Sequence, residues 1–107
     1  MVYIPLVKAV EVFRQKVFLK HRKDSRLAVF EIAIFQVPMS RDYPDGLKYR
    51  AWLSENGKTI FGFDNHKPKG SHLHIGNQEV GYVFRGLKAL REDIIAMIKK
   101  EDFIYEN

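Results

Sequence analysis

Between Leu27 and Val37 apolar residues stand at both parities. Leu27, Val29, Ala33, Phe35 and Val37 occupy one, Ala28, Phe30, Ile32 and Ile34 the other, and only Glu31 and Gln36 interrupt. A β-branched and aromatic run of this kind reads as a strand covered on both faces. The chain must therefore supply strand neighbours on either side and a layer to pack on them. With 107 residues it has material for one domain, spanning 1–107, and a single modest core.

The segment before this run, Lys8 to Lys20, fits two periods: Val10, Phe13 and Val17 make a helical stripe, while Ala9, Phe13, Val17 and Leu19 share one side of a strand. The polar His21-Arg22-Lys23-Asp24-Ser25 between the two segments has turn character, which favours a hairpin. Pro38 ends the second strand, and Ser40 to Gly46 is a connector marked by Pro44 and Gly46. Leu47, Tyr49, Ala51 and Leu53 then alternate with Lys48, Arg50, Trp52 and Ser54, and Asn56-Gly57 turns the chain into a strand from Thr59 to Phe63. A polar loop, a short His72 to Ile75 stretch, a Gly76-Asn77 turn and a last strand alternating through Val80, Tyr82 and Phe84 follow. From Leu87 the period changes to 3.6, with Leu87, Leu90, Ile94, Ile95 and Ile98 on one stripe. The predicted fold is α+β: an antiparallel sheet of about five hairpin-connected strands with one C-terminal amphipathic helix packed on a face. Trp52, with Tyr43, Tyr49 and Tyr82, offers a surface for stacking bases, but is expected instead to cover the sheet under that helix, and Glu92-Asp93 to be solvated, since adjacent helical residues face different directions.

Several function classes fall away on composition. No apolar run approaches the roughly 20 residues that span a bilayer. Charged and amidated residues interrupt Met1 to Leu19, so no export signal is read and a cytoplasmic location is expected. The absence of cysteine excludes a disulfide scaffold, a thiolate zinc finger, a cysteine nucleophile and an iron–sulfur site. The net charge of +5 is concentrated in residues 1–26, where Lys8, Arg14, Lys16, Lys20, Arg22, Lys23 and Arg26 face only Glu11 and Asp24. Such a segment suits an acidic partner, nucleic acid or protein, and equally suits a solvated surface that keeps a small domain soluble.

Chemistry concentrates in Asp64-Asn65-His66-Lys67-Pro68-Lys69-Gly70-Ser71-His72-Leu73-His74, which holds three of the four histidines. If 72–75 is extended, His72 and His74 share a face and Leu73 is left to the core. Three readings remain open. In the first, two histidines exchange protons with RNA while Lys69, Lys67 or Arg50 stabilises charge on phosphorus and Asp64 orients an imidazole. In the second, His72 and His74 ligate a metal with Asp64 or His66 as the third ligand, although neighbouring lysines oppose a cation. In the third, the loop is simply polar and satisfies its own backbone.

The run Lys48-Tyr49-Arg50-Ala51-Trp52, then Gly62-Phe63-Asp64-Asn65, then Lys69-Gly70-Ser71-His72-Leu73-His74, and an apolar helix after Tyr82-Val83-Phe84 resembles the TumE family of toxin–antitoxin toxins. The likeness covers roughly residues 8–100. Pro68 replaces a glycine usual in that family's loop, Phe63 stands where tyrosine is common, and Gly81-Tyr82 replaces Pro-Tyr. The resemblance implies a small cytoplasmic toxin neutralised by a cognate helix-turn-helix antitoxin; it implies a genetic role more than a reaction. The leading expectation is a metal-independent endoribonuclease without a cofactor, with His72, His74, Asp64 and Lys69 as catalytic candidates. Arg50, Lys67, Asn65, His66, Arg22 and Lys23 are the candidate RNA contacts. The alternatives are a non-catalytic module that binds nucleic acid or antitoxin, and a divalent-metal phosphodiesterase. An exposed edge strand would also permit pairing with another chain, a second copy included.

Overall fold

The structure is a computed structural model that describes residues 9–66 and 69–105. Strands β1 (Val10–His21), β2 (Leu27–Gln36), β3 (Leu47–Glu55), β4 (Lys58–Asp64), β5 (His72–Ile75) and β6 (Gln78–Gly81) precede helix α1 (Leu87–Lys100) and strand β7 (Phe103–Tyr105). They form one antiparallel sheet in the order β6-β5-β4-β3-β2-β1-β7. The α+β class is as the sequence suggests, but the sheet has seven strands rather than about five. The differences lie at its margins. The His72 to Ile75 stretch is a full member, β6 stops at Gly81 so that Tyr82 and Phe84 lie outside it, and a strand follows the helix.

Local chemistry explains the meander. At the β3–β4 turn Asn56 and Gly57 both have positive φ, 50° and 76°, the pair that a tight hairpin needs and that these two residues adopt cheaply. The basic N-terminal segment is strand β1, paired with β2 through the hairpin anticipated for it. Helix α1 ends with Lys99 and Lys100 in its last turn, where cations meet the negative end of the helix dipole. The chain then crosses to the far edge, and β7 pairs with Leu19–His21 of β1. Among the described residues no helix is long and apolar enough to cross a membrane.

One face of the sheet is the core. Phe30 and Ile34 of β2, Tyr49, Ala51 and Leu53 of β3, and Phe61 and Phe63 of β4 are buried together with Leu90 and Ile94 of α1 and Phe103 of β7. Each large side chain so buried is worth about 1.5–3 kcal/mol over leaving it in water. The expectation that Leu27 to Val37 is covered on both faces is corrected: Ala28, Phe30 and Ile34 are buried, while Val29, Ala33 and Phe35 are half-buried and Leu27 is exposed. A single helix covers a single face. Trp52 is corrected for the same reason. Tyr49, Ala51 and Leu53 take the helix side, so alternation sends Trp52 and Arg50 to the other. Asp93, expected to be solvated, instead accepts hydrogen bonds from the Tyr82 hydroxyl and the Arg85 guanidinium, which ties α1 to the segment leading into it.

Candidate functional site

The helix-free face carries the polar residues, and strand register brings them together. Across β3, β4 and β5 the partners Arg50, Asp64 and His72 lie in one row. In the adjoining row Trp52, Gly62, His74 and Glu79 follow one another across β3 to β6. Directly opposed residues in antiparallel strands have Cβ atoms about 4.5–5.5 Å apart. Residues far apart in sequence are thus delivered to one patch by backbone pairing alone.

At its centre Asp64 faces both histidines, with Oδ1 2.8 Å from His72 Nε2 and Oδ2 3.3 Å from His74 Nε2. Asp64 Oδ1 also accepts the backbone N–H of His66 at 3.2 Å. His72 Nδ1 lies 2.8 Å from the Gly70 carbonyl oxygen. A carbonyl can only accept, so Nδ1 carries the proton. Gly70 has φ +76°, a left-handed conformation suited to glycine, and this turn aims its carbonyl at the ring. His74 Nδ1 lies 3.9 Å from Glu79 Oε2, and Glu79 Oε1 is 3.9 Å from His72 Nε2. Lys69 Nζ is bound to the same Glu79 carboxylate, at 3.0 and 3.2 Å. The hydrogen bond from Lys69 is the main cause holding Glu79 below the usual carboxylate range. The ammonium that counted against a cation is therefore partnered.

An aromatic wall flanks the cluster. A Cβ built on Gly62 would lie 2.2 Å from the Trp52 ring, so the indole rests flat on backbone and only glycine permits it. Trp52 Nε1 donates to Thr59 Oγ1 at 2.6 Å. The His74 ring packs on Trp52 at 4.9 Å between centroids, and the Arg50 guanidinium sits 4.7 Å from the indole centroid. Together these side chains enclose a basin of about 600 Å³ floored by Asp64, His72 and His74 and rimmed by Lys48, Arg50, His66, Lys69 and Glu79.

Not every sequence candidate meets here. Asp64, His66, Lys69, His72, His74 and Arg50 do. Asn65 is buried, with Oδ1 accepting the Tyr49 N–H at 2.9 Å and Nδ2 donating to the Leu47 carbonyl at 2.8 Å, so its polar atoms are spent on the backbone of β3. Arg22 and Lys23 lie in the β1–β2 turn, away from the cluster, where the Arg22 N–H donates to the Asp102 carbonyl and Lys23 Nζ is 3.6 Å from the Asp102 carboxylate. Lys67 falls outside the described residues. The fourth histidine, His21, is buried against Phe103 in the core. Sequence reasoning missed Glu79. The signal was available, because a two-residue Gly76-Asn77 turn pairs Ile75 with Gln78 and hence His74 with Glu79.

Among protein families, the model described as Toxin TumE matches residues 5–102. No curated protein matches and no solved structure matches.

Proposed function

The chain belongs to the TumE toxin family, and from that premise we propose that it is the toxin half of a toxin–antitoxin pair, held in check by a helix-turn-helix antitoxin, and that it acts by cutting RNA at the open-face cluster. The observation that carries this reading is one carboxylate, Asp64, shared by two histidines in a basin rimmed by Arg50, Lys48 and Lys69. Cationic groups at the rim suit a polyanion, and Arg50 offers a planar fork to a phosphate. The flat Trp52 wall suits a base.

The reaction consistent with such a site is attack of a 2′-hydroxyl on the adjacent phosphorus. The new bond from O2′ to phosphorus forms as the bond to O5′ breaks. A cyclic phosphate remains on one fragment, and the proton lost by the 2′-hydroxyl is matched by one gained at the departing O5′. In the version without metal, His72 and His74 would share the proton transfers, which requires a free nitrogen on each ring. His72 is only 7% exposed, with Nδ1 on the Gly70 carbonyl and Nε2 on Asp64. That version therefore needs His72 to release one of them, an observation that favours a second reading in which the cluster serves a cation.

The test is direct. Purified chain is incubated with cellular RNA beside His74→Phe and Arg50→Ala, and product ends are mapped. Fragments ending in cyclic phosphate from the unaltered chain, and few from the variants, support the reading. RNA that is bound without being shortened, with affinity falling steeply as salt rises, replaces it with a binding module.

A further inference from the structure

We infer that Asp64, His72 and His74 form a binding site for one divalent first-row transition-metal ion, with Gly70 and Glu79 as its supporting shell. Their ligand atoms lie within 4.8 Å of one another. The argument rests on how the two rings are oriented. Both present Nε2 to Asp64, at 2.8 and 3.3 Å, and both turn Nδ1 toward an acceptor, the Gly70 carbonyl for His72 and the Glu79 carboxylate for His74. An imidazole whose Nδ1–H is held by a carbonyl or carboxylate keeps its Nε2 lone pair for a metal, and such partners are the usual outer shell of histidine ligands; His72 has this hold at 2.8 Å, while the Glu79 carboxylate stands 3.9 Å from His74 Nδ1 as a nearby charge.

With Nδ1 held by the Gly70 carbonyl, His72 Nε2 and a carboxylate oxygen face each other at 2.8 Å. A positive charge joins two such groups, and a proton or a metal ion can supply it. A metal with bonds of about 2.0–2.2 Å to nitrogen and oxygen separates neighbouring ligand atoms by about 3.0–3.5 Å; the two Asp64–histidine spacings, 2.8 and 3.3 Å, are close to that range, and the whole set falls within 4.8 Å. Charge points the same way. Lys69 neutralises one of the carboxylates of Glu79 and Asp64 and leaves the other for the cation. Two imidazoles and a carboxylate suit the manganese-to-zinc series better than calcium or magnesium, which prefer all-oxygen sets.

The inference concerns binding and stands apart from what the toxin cuts. Full-length chain stripped with a chelator is titrated with Co²⁺, whose visible spectrum reports coordination, and then with Zn²⁺ in competition. Expected is saturation at one equivalent with displacement by Zn²⁺. Asp64→Asn keeps the side-chain shape and removes the ligand's charge, His74→Phe keeps a flat ring and removes its nitrogens, and each should weaken uptake by more than the roughly 10–100-fold typical of outer-shell changes. Gly70→Ala strains the turn behind His72 and should weaken it about 10-fold. Thermal melts of each variant report folding, and only folded variants are scored. Unsaturable uptake by the unaltered chain, or uptake preserved in folded Asp64→Asn and His74→Phe, overturns the site. RNA cut at full rate by chain that binds no metal would overturn the cation while sparing the nuclease reading; metal bound with RNA left intact would do the reverse.

Discussion

The two faces of the sheet are built from the same strands and have opposite character. In β4, Phe63 is buried against Tyr82 in the core, and its neighbour Asp64 joins the histidine cluster on the other side. In β5, Leu73 packs on the core while His72 and His74 flank it on the open face. The helix accounts for the difference: it covers one face, and the residues of the other parity need not pack under it. Stability and chemistry therefore alternate residue by residue, and a substitution at one position can damage one while sparing the other.

The comparison can be broken from the core side first. Phe63→Ala removes a fully buried ring and should cost about 3–5 kcal/mol, read from chemical denaturation, with activity lost only because the fold is lost. Asn65→Ala comes next, since it leaves the Tyr49 N–H and Leu47 carbonyl without their partner, and should cost about 1–3 kcal/mol by the same measurement.

A pH window sharpens the role of the helix. Burial, helped by the hydrogen bond its hydroxyl donates to Asp93, pushes Tyr82 from the ordinary 10.0 up to about 12. The neutral form is the one the fold favours, so its contribution is complete below pH 10 and is lost as pH rises from 10 toward 12. Tyr82→Phe should flatten that alkaline fall in melting temperature. The smallest effect on stability belongs to the open face: Arg50→Ala should shift stability by no more than about 0.5 kcal/mol while lowering RNA cleavage, and an equal loss of both would erase the distinction between the faces.

How much of this was legible depended on how local the cause was. The β1–β2 hairpin, the Asn56-Gly57 turn and a helix beginning at Leu87 follow from neighbours in sequence, and the structure has each of them. The short strands were less legible: β5 was read only as a short stretch, β6 overlaps the strand expected through Val80 but ends at Gly81, and β7, three residues long, exists because Phe103 reaches His21 from the far side of the helix. At the site, alternation was enough to place His72 and His74 together. The pairing of Asp64 with both rings, and of Lys69 with Glu79, needed the register. Asn65 and Trp52 show the converse, because their surroundings depend on Leu47 and Gly62 from other strands.

The position of α1 and β7 after the meander has a consequence for biosynthesis. Chain growth delivers the meander β1 to β6 first, so the face bearing Phe30, Leu53 and Phe61 stays bare until Leu90, Ile94 and Phe103 have been made. A chain halted before Leu87 should bind a hydrophobic dye more strongly than the folded protein does. The core is complete only once the helix has closed on the sheet, and the interval before that is when the growing chain is in its most adhesive form.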